Sequence, residues 1–204
     1  TDRPIRQTSA DIGANVQRPT YRIGPSSHGW WALTILFVVF GMIMFMAAFG
    51  FLYLYGVHPK FWIAPPDLLT LAPIAALNAA AFGLAYIAGR TLRGSDRPRR
   101  RVWFFMLLAA APLVAATWFD IRSWTDAGLS PSASGQGATI FSMIAQHGTV
   151  VALALVMCLY FVARATRGLV ITPRDATLDA VMRVVRFAAI QGTLIAALTR
   201  LVAP

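Results

Sequence analysis

Three histidines, His28, His58 and His147, are the residues of this chain best suited to chemistry, since imidazole binds metals, relays protons and serves as a base. His147 stands inside the apolar run from Ala138 to Ala163 and is followed by Gly148. A ring at that depth has no bulk water to solvate it. It must find a partner or stay neutral, which by default marks a site. Gln146 and Thr149 flank it, and a neutral imidazole donates one hydrogen bond and accepts one. From these residues alone two readings stand side by side, a packed polar group and a functional one.

The remaining inventory is thin. By the topology derived below, the three histidines fall at three depths and do not meet on one metal. A membrane haem commonly takes a His pair facing across helices, and one buried His does not supply it. All 8 acidic residues are Asp, and by this reading all lie in loops or tails, with Asp120 and Asp126 as solvated loop charges. No intramembrane carboxylate is therefore expected to relay protons. Cys158 is alone, which removes disulfides and Cys-based metal sites and leaves a small packed side chain. The stretch Gly24 to Gly29 resembles a serine-nucleophile loop only superficially and reads as a turn. The expectation is a chain with no catalytic and no metal-ligating residues of its own.

The elements that must carry these residues are apolar. The chain has 204 residues, 57% hydrophobic and 13% charged, against about a quarter charged in soluble domains. Five runs stand out, at 30–56, 68–89, 102–119, 138–163 and 181–202. Each approaches the ~17–25 residues a tilted helix needs to cross a membrane. The fifth is weaker: Arg183 and Arg186 lie in its first turns and Arg200 near its end, where long side chains can snorkel to the interfaces. Arginines crowd the N-terminal segment, the second loop (Arg90, Arg93, Arg97, Arg99, Arg100, Arg101) and the fourth (Arg164, Arg167, Arg174). The first loop has only Lys60 and the third only Arg122. This alternation puts the basic segments in the cytoplasm. The predicted fold is an all-α integral membrane protein of five transmembrane helices, N-terminus cytoplasmic and C-terminus outside. Residues 1–29 form a polar cytoplasmic tail with no cleavable signal, able to order on a partner, and 30–204 form the membrane domain. The net charge of +10 then follows from topology and does not call for nucleic acid.

Small residues at i+4 spacing, Ala75, Ala79 and Gly83 in the second run and Ala188, Gly192 and Ala196 in the fifth, predict close helix packing. Pro73 and Pro112 should bend their helices. Trp30, Trp31, Trp62, Trp103, Trp118 and Trp124 read as interface anchors. Asn78, Thr139, Gln146 and Gln191 are intramembrane polar groups whose expected role is interhelical hydrogen bonding. Arg97 to Arg101 can hold anionic headgroups as well as stop translocation.

The fourth run resembles subunit III of the haem–copper respiratory terminal oxidases, in its divergent five-span form. Gly137, Thr139, Phe141, His147 and Gly148 stand at the spacing of that family's Gly-x-Thr-x-Phe and His-Gly pattern. Phe51-Leu52-Tyr53-Leu54-Tyr55 and the Pro65-Pro66 loop are similar to its aromatic helix exit, and Arg186-Phe187 falls where the family has His-Phe. The likeness spans most of residues 28 to 202. Where the family carries membrane glutamates this chain has Gly41 and Trp118, and where it has His and Asp in the last span it has Arg186 and Ala189. The resemblance implies a non-catalytic subunit of an oxygen-reducing cytochrome c or quinol oxidase in a bacterial inner membrane. Catalytic subunit I and subunit II would be its partners, with haem and copper in the catalytic partner and no cofactor bound here. It implies structural phospholipids in an interhelical cleft, with Arg22, Trp30, Arg97, Arg99, Arg100, Arg101 and Arg186 as headgroup candidates. Gly83, Gly137, Thr139, Phe141, His147, Gly148 and Gly192 would serve helix packing or subunit contact. A small transporter or channel, or an accessory subunit of another respiratory or photosynthetic complex, fits the five-span frame as well.

Overall fold

Five helices long and apolar enough to cross a membrane make up most of the molecule. The computed structural model describes residues 8–11, 17–20, 28–93, 99–167 and 176–202. The helices are α1 (His28–Val57), α2 (Leu71–Arg93), α3 (Arg99–Asp126), α4 (Gly135–Thr166) and α5 (Ala176–Leu201). Even the 23 residues of α2 extend roughly 35 Å at 1.5 Å each, beyond the ~30 Å of a hydrocarbon core. This is a multi-pass membrane protein by length and composition. The polar N-terminal segment adds a two-stranded antiparallel pairing, β1 (Thr8–Asp11) with β2 (Gln17–Thr20), that the all-helical expectation did not contain.

Helix ends differ from the predicted runs where tertiary contacts decide them. α3 continues two turns past Phe119 because Asp120, Ser123 and Trp124 face inward rather than into a loop. It then stops at Gly128, whose φ of +84° suits only glycine, with the Leu129 amide reaching back to the Trp124 carbonyl and Gly128 to Thr125. Ser134 starts α4: its hydroxyl accepts from the Gly137 amide at 3.1 Å. Pro73 lies in the first turn of α2, where no intrahelical amide bond is lost, so the bend expected there has no cause. Pro112 is interior to α3 and leaves the Leu108 carbonyl without its i+4 donor.

α5 is the hub, touching all four other helices, while α1 leans on α4 and α5. Two apolar clusters fill the bundle. Toward the Arg-rich end, Ala81, Ala85 and Ala88 of α2 and Ala109 and Ala110 of α3 let backbones approach around Val150, Phe161 and Val185. Phe37 of α1 stacks on Phe187 of α5, ring centroids 4.6 Å apart. Toward the other end, Phe51, Trp124, Leu129, Ile140 and Ile195 pack together.

Candidate functional site

Two buried polar clusters lie between the helices. The first surrounds His147, which α4 turns toward α5. Its Nδ1 stands 3.5 Å from Gln191 Oε1, so the ring N–H donates and the amide oxygen accepts. Gly192 is what allows this approach: a Cβ there would sit 2.7 Å from His147 Nε2 and 3.1 Å from Asn78 Nδ2. Asn78 of α2 is 1% exposed, and neither of its amide atoms has a hydrogen-bond partner; the Gln191 nitrogen has none either. The cluster joins α2, α4 and α5 through polar groups only partly satisfied among themselves. Among the described residues, no three His, Cys, Asp or Glu side chains gather as a metal site.

The second cluster is an ion pair that local sequence conceals. Arg200 near the end of α5 is 2% exposed and meets Asp120 of α3 with Nη2 2.8 Å from Oδ1. Its Nη2 also donates to Ser123 Oγ at 2.6 Å, Nε to Thr70 Oγ1 at 3.1 Å, and Nη1 to the Ala196 carbonyl at 3.2 Å. The guanidinium lies 5.6 Å from the centre of the Trp124 ring, which is fully buried. Three expectations are corrected together. Asp120 is not a solvated loop charge, Arg200 does not snorkel to the surface, and Trp124 is a core residue rather than an interface anchor. The physical reason is mutual: each charge makes the other's burial tolerable, and the extension of α3 brings them together. Asp126 matches its expectation, lying exposed beside Arg122 at 3.4 Å.

Other polar groups sort by partner. Gln146 donates from Nε2 to the Phe40 carbonyl of α1 at 2.9 Å, an interhelical bond of the expected kind. Gln136 brackets Ile63, accepting from its amide at 2.8 Å and donating to its carbonyl at 2.9 Å, and so pins the first loop onto α4. Thr139 instead bonds within its own helix, to Gly135 and Gln136 carbonyls.

The residues shared with the subunit III pattern fall at different places. Gly137 has the Ser130 carbonyl pressed against its α-carbon face, so no side chain fits there. Phe141 is half-buried beside the Phe51–Trp124 cluster. Gly148 and Gly83 have open space where a Cβ would go. Ala188, Gly192 and Ala196 are buried, whereas Ala75 and Ala79 line a groove between α2 and α5. Of the headgroup candidates, Arg186 stands 5.4 Å over the Phe82 ring and Trp30 lies under Arg183 at 5.6 Å. Arg22 and Arg97 lie outside the described residues, and Arg99, Arg100 and Arg101 are described only as the backbone start of α3. No protein-family model matches the chain, and a search of curated proteins returns no match.

Proposed function

We propose that this chain is a non-catalytic, subunit III-like component of a haem–copper terminal oxidase, stabilising the catalytic subunit and holding lipids. In this reading it sits in a bacterial inner membrane with its N-terminus inside. Subunits I and II are its partners, and haem and copper belong to the catalytic one. The observation that carries the reading is the use of His147. The ring is spent on joining α4 to α5 through Gln191 against Gly192, and among the described residues no three His, Cys, Asp or Glu side chains gather as a metal site. That suits the histidine of the resemblance's His-Gly pair as a packing residue, with Gly192 rather than the open-sided Gly148 giving the close approach. One face of α1 packs on the bundle through Leu33, Phe37, Phe40 and Met44, and its other face, with Ile35, Val39, Met42 and Phe45, stays exposed and leaves room for a partner subunit or lipid.

The test is purification in mild detergent through a tag on this chain, followed by absorption spectra and partner identification. Haem and a much larger multi-span subunit should co-purify. A colourless chain that transports solute alone would overturn the proposal in favour of a small transporter. The His147→Gln variant should weaken assembly of the complex while leaving turnover per assembled complex largely intact. Abolished turnover in a fully assembled complex would give His147 a chemical role and sink the packing reading.

A further inference from the structure

The hairpin that precedes α1 has two edges, and they are not alike. β1 and β2 pair antiparallel, with Thr8 opposite Thr20, Ser9 opposite Pro19, Ala10 opposite Arg18 and Asp11 opposite Gln17. Along such a ladder, pairs that exchange both N–H···O bonds alternate with pairs whose amides and carbonyls point away from the partner strand. Pro19 has no N–H to exchange, and this fixes the phase. Thr8–Thr20 and Ala10–Arg18 carry the bonds, while Ser9–Pro19 and Asp11–Gln17 point outward. The free edge of β2 therefore lacks a donor at Pro19, a common way to blunt an edge strand. The free edge of β1 keeps the N–H and C=O of both Ser9 and Asp11. Among the described residues, neither has a backbone partner elsewhere.

Two strands alone are marginal in water, and an open edge gains stability by adding a strand. The edge of β1 fits a second copy of itself. Turned antiparallel about a two-fold axis at Ala10, one β1 brings Ser9 opposite Asp11 of the second copy and Asp11 opposite its Ser9. These are the residues with free backbone groups on each strand, so each pair exchanges both bonds. The register sets a hydroxyl residue against a carboxylate residue. It also sets Ala10, the smallest residue of the strand, against itself at the close-spaced pair. Parallel pairing would instead stack Asp11 on Asp11, like charges side by side. Seven residues separate Thr20 from His28 at the start of α1, a reach of up to about 24 Å. Chains inserted in one orientation carry their hairpins on one side of the membrane, so two hairpins can meet without their helix bundles touching.

We infer that two copies of this chain pair through β1, forming a four-stranded sheet with the two β1 strands at its centre, on the side of the membrane where α1 begins. The inference does not rest on the oxidase reading. Its test is disulfide trapping of the full chain, with whatever complex it brings, in liposomes under a mild oxidant. Cys158 is buried, so the unaltered chain should give no dimer. Ala10→Cys meets its own copy at a Cα separation of about 4.5 Å, within disulfide reach, and should be trapped quickly as a dimer. Ser9→Cys and Asp11→Cys each stand about 8 Å from their own copies and should be trapped roughly tenfold more slowly or not at all. Mixing those two variants brings their cysteines to about 5.5 Å, so mixed dimers should form faster than either variant forms its own. Asp11→Cys combined with Gln17→Cys in one chain should close a bridge within the hairpin, as an outward-pointing pair does. Failure of that bridge overturns the edge assignment. Equal trapping at 9, 10 and 11 would mean colliding tails and overturns the pairing, and so does the absence of an Ala10→Cys dimer. A strand of a different protein trapped by Ala10→Cys would give the edge another occupant and overturn it too.

Discussion

The two buried polar clusters hold helices together by different means. Around Arg200, the cation meets Asp120, Ser123, Thr70 and a backbone carbonyl, so the guanidinium nitrogens are spoken for. Around His147 one 3.5 Å contact to Gln191 is the only hydrogen bond, while Asn78 and one end of Gln191 find nothing. The first cluster is an ion-paired clamp joining α3, α5 and the turn before α2, in which Trp124 Nε1 alone has no partner beyond the ion pair's own contacts. The second is a close-packed junction in which shape, through Gly192, outweighs hydrogen bonding. Loss of a charge should therefore be severe in one, and loss of a polar group mild in the other.

The largest effect is expected at the clamp. Arg200→Met leaves Asp120 buried without its cation, and Asp120→Leu leaves Arg200 equally stranded. Removing one member of a buried pair costs about 3–5 kcal/mol, because an uncompensated charge remains out of water. Thermal unfolding in detergent should show each single variant strongly destabilised. The double variant should recover most of the loss, since apolar replacements of similar volume are often neutral. Additive losses in the double variant would break the account of a mutually dependent pair.

At the junction the sensitive residue is the one without a side chain. Gly192→Ala places a methyl group 2.7 Å from His147 Nε2 and 2.8 Å from Cε1, so the ring or α5 must move. Overpacking of this kind costs about 1–3 kcal/mol. A melting temperature unchanged by Gly192→Ala would show that the junction is loose. Asn78→Leu is expected to act in the opposite direction. It removes two buried atoms that lack partners, so stability should stay level or rise by about 1 kcal/mol. A marked loss would reveal that the amide is bonded after all, and the contrast between the clusters would shrink.

These differences also mark what the sequence could disclose. Five spans were legible because each apolar run is long and its flanks are rich in Arg or Trp, a local signal that tertiary packing does not erase. His147 was legible for a similar reason, as a polar group in an apolar setting. Arg200 and Asp120 were not. Each sits at the edge of a run, where a charge reads as snorkelling or as loop, and 80 positions separate them. Only the fold makes them a pair. Trp124 is hidden in the same way, since an indole at a helix end looks the same in sequence whether it anchors in headgroups or lies under a guanidinium. Ala75 and Ala79 show the limit of a small-residue stripe: the spacing announces a close surface but not what approaches it, and here it is the wall of a groove.

Gln146 joins the comparison from the edge of the junction, one residue before His147. Its side chain reaches the Phe40 carbonyl at 2.9 Å, the described side-chain hydrogen bond between α1 and the rest of the bundle. A single interhelical bond of this type is worth about 0.6 kcal/mol, because the separated helices find other partners in the membrane. Gln146→Leu should therefore scarcely shift global unfolding. Its effect belongs to α1 alone, which buries little else and leans on α4 and α5 mainly through apolar contact. Crosslinking between cysteines placed at Phe40 and Thr149, one turn along the Gln146 face of α4, should slow in the variant while the α2–α5 core melts at its usual temperature. A shift of several degrees in the core would mean that α1 is coupled to the junction, and that His147, Gln191 and Gln146 act as one network rather than as a packed crossing with a separate strap.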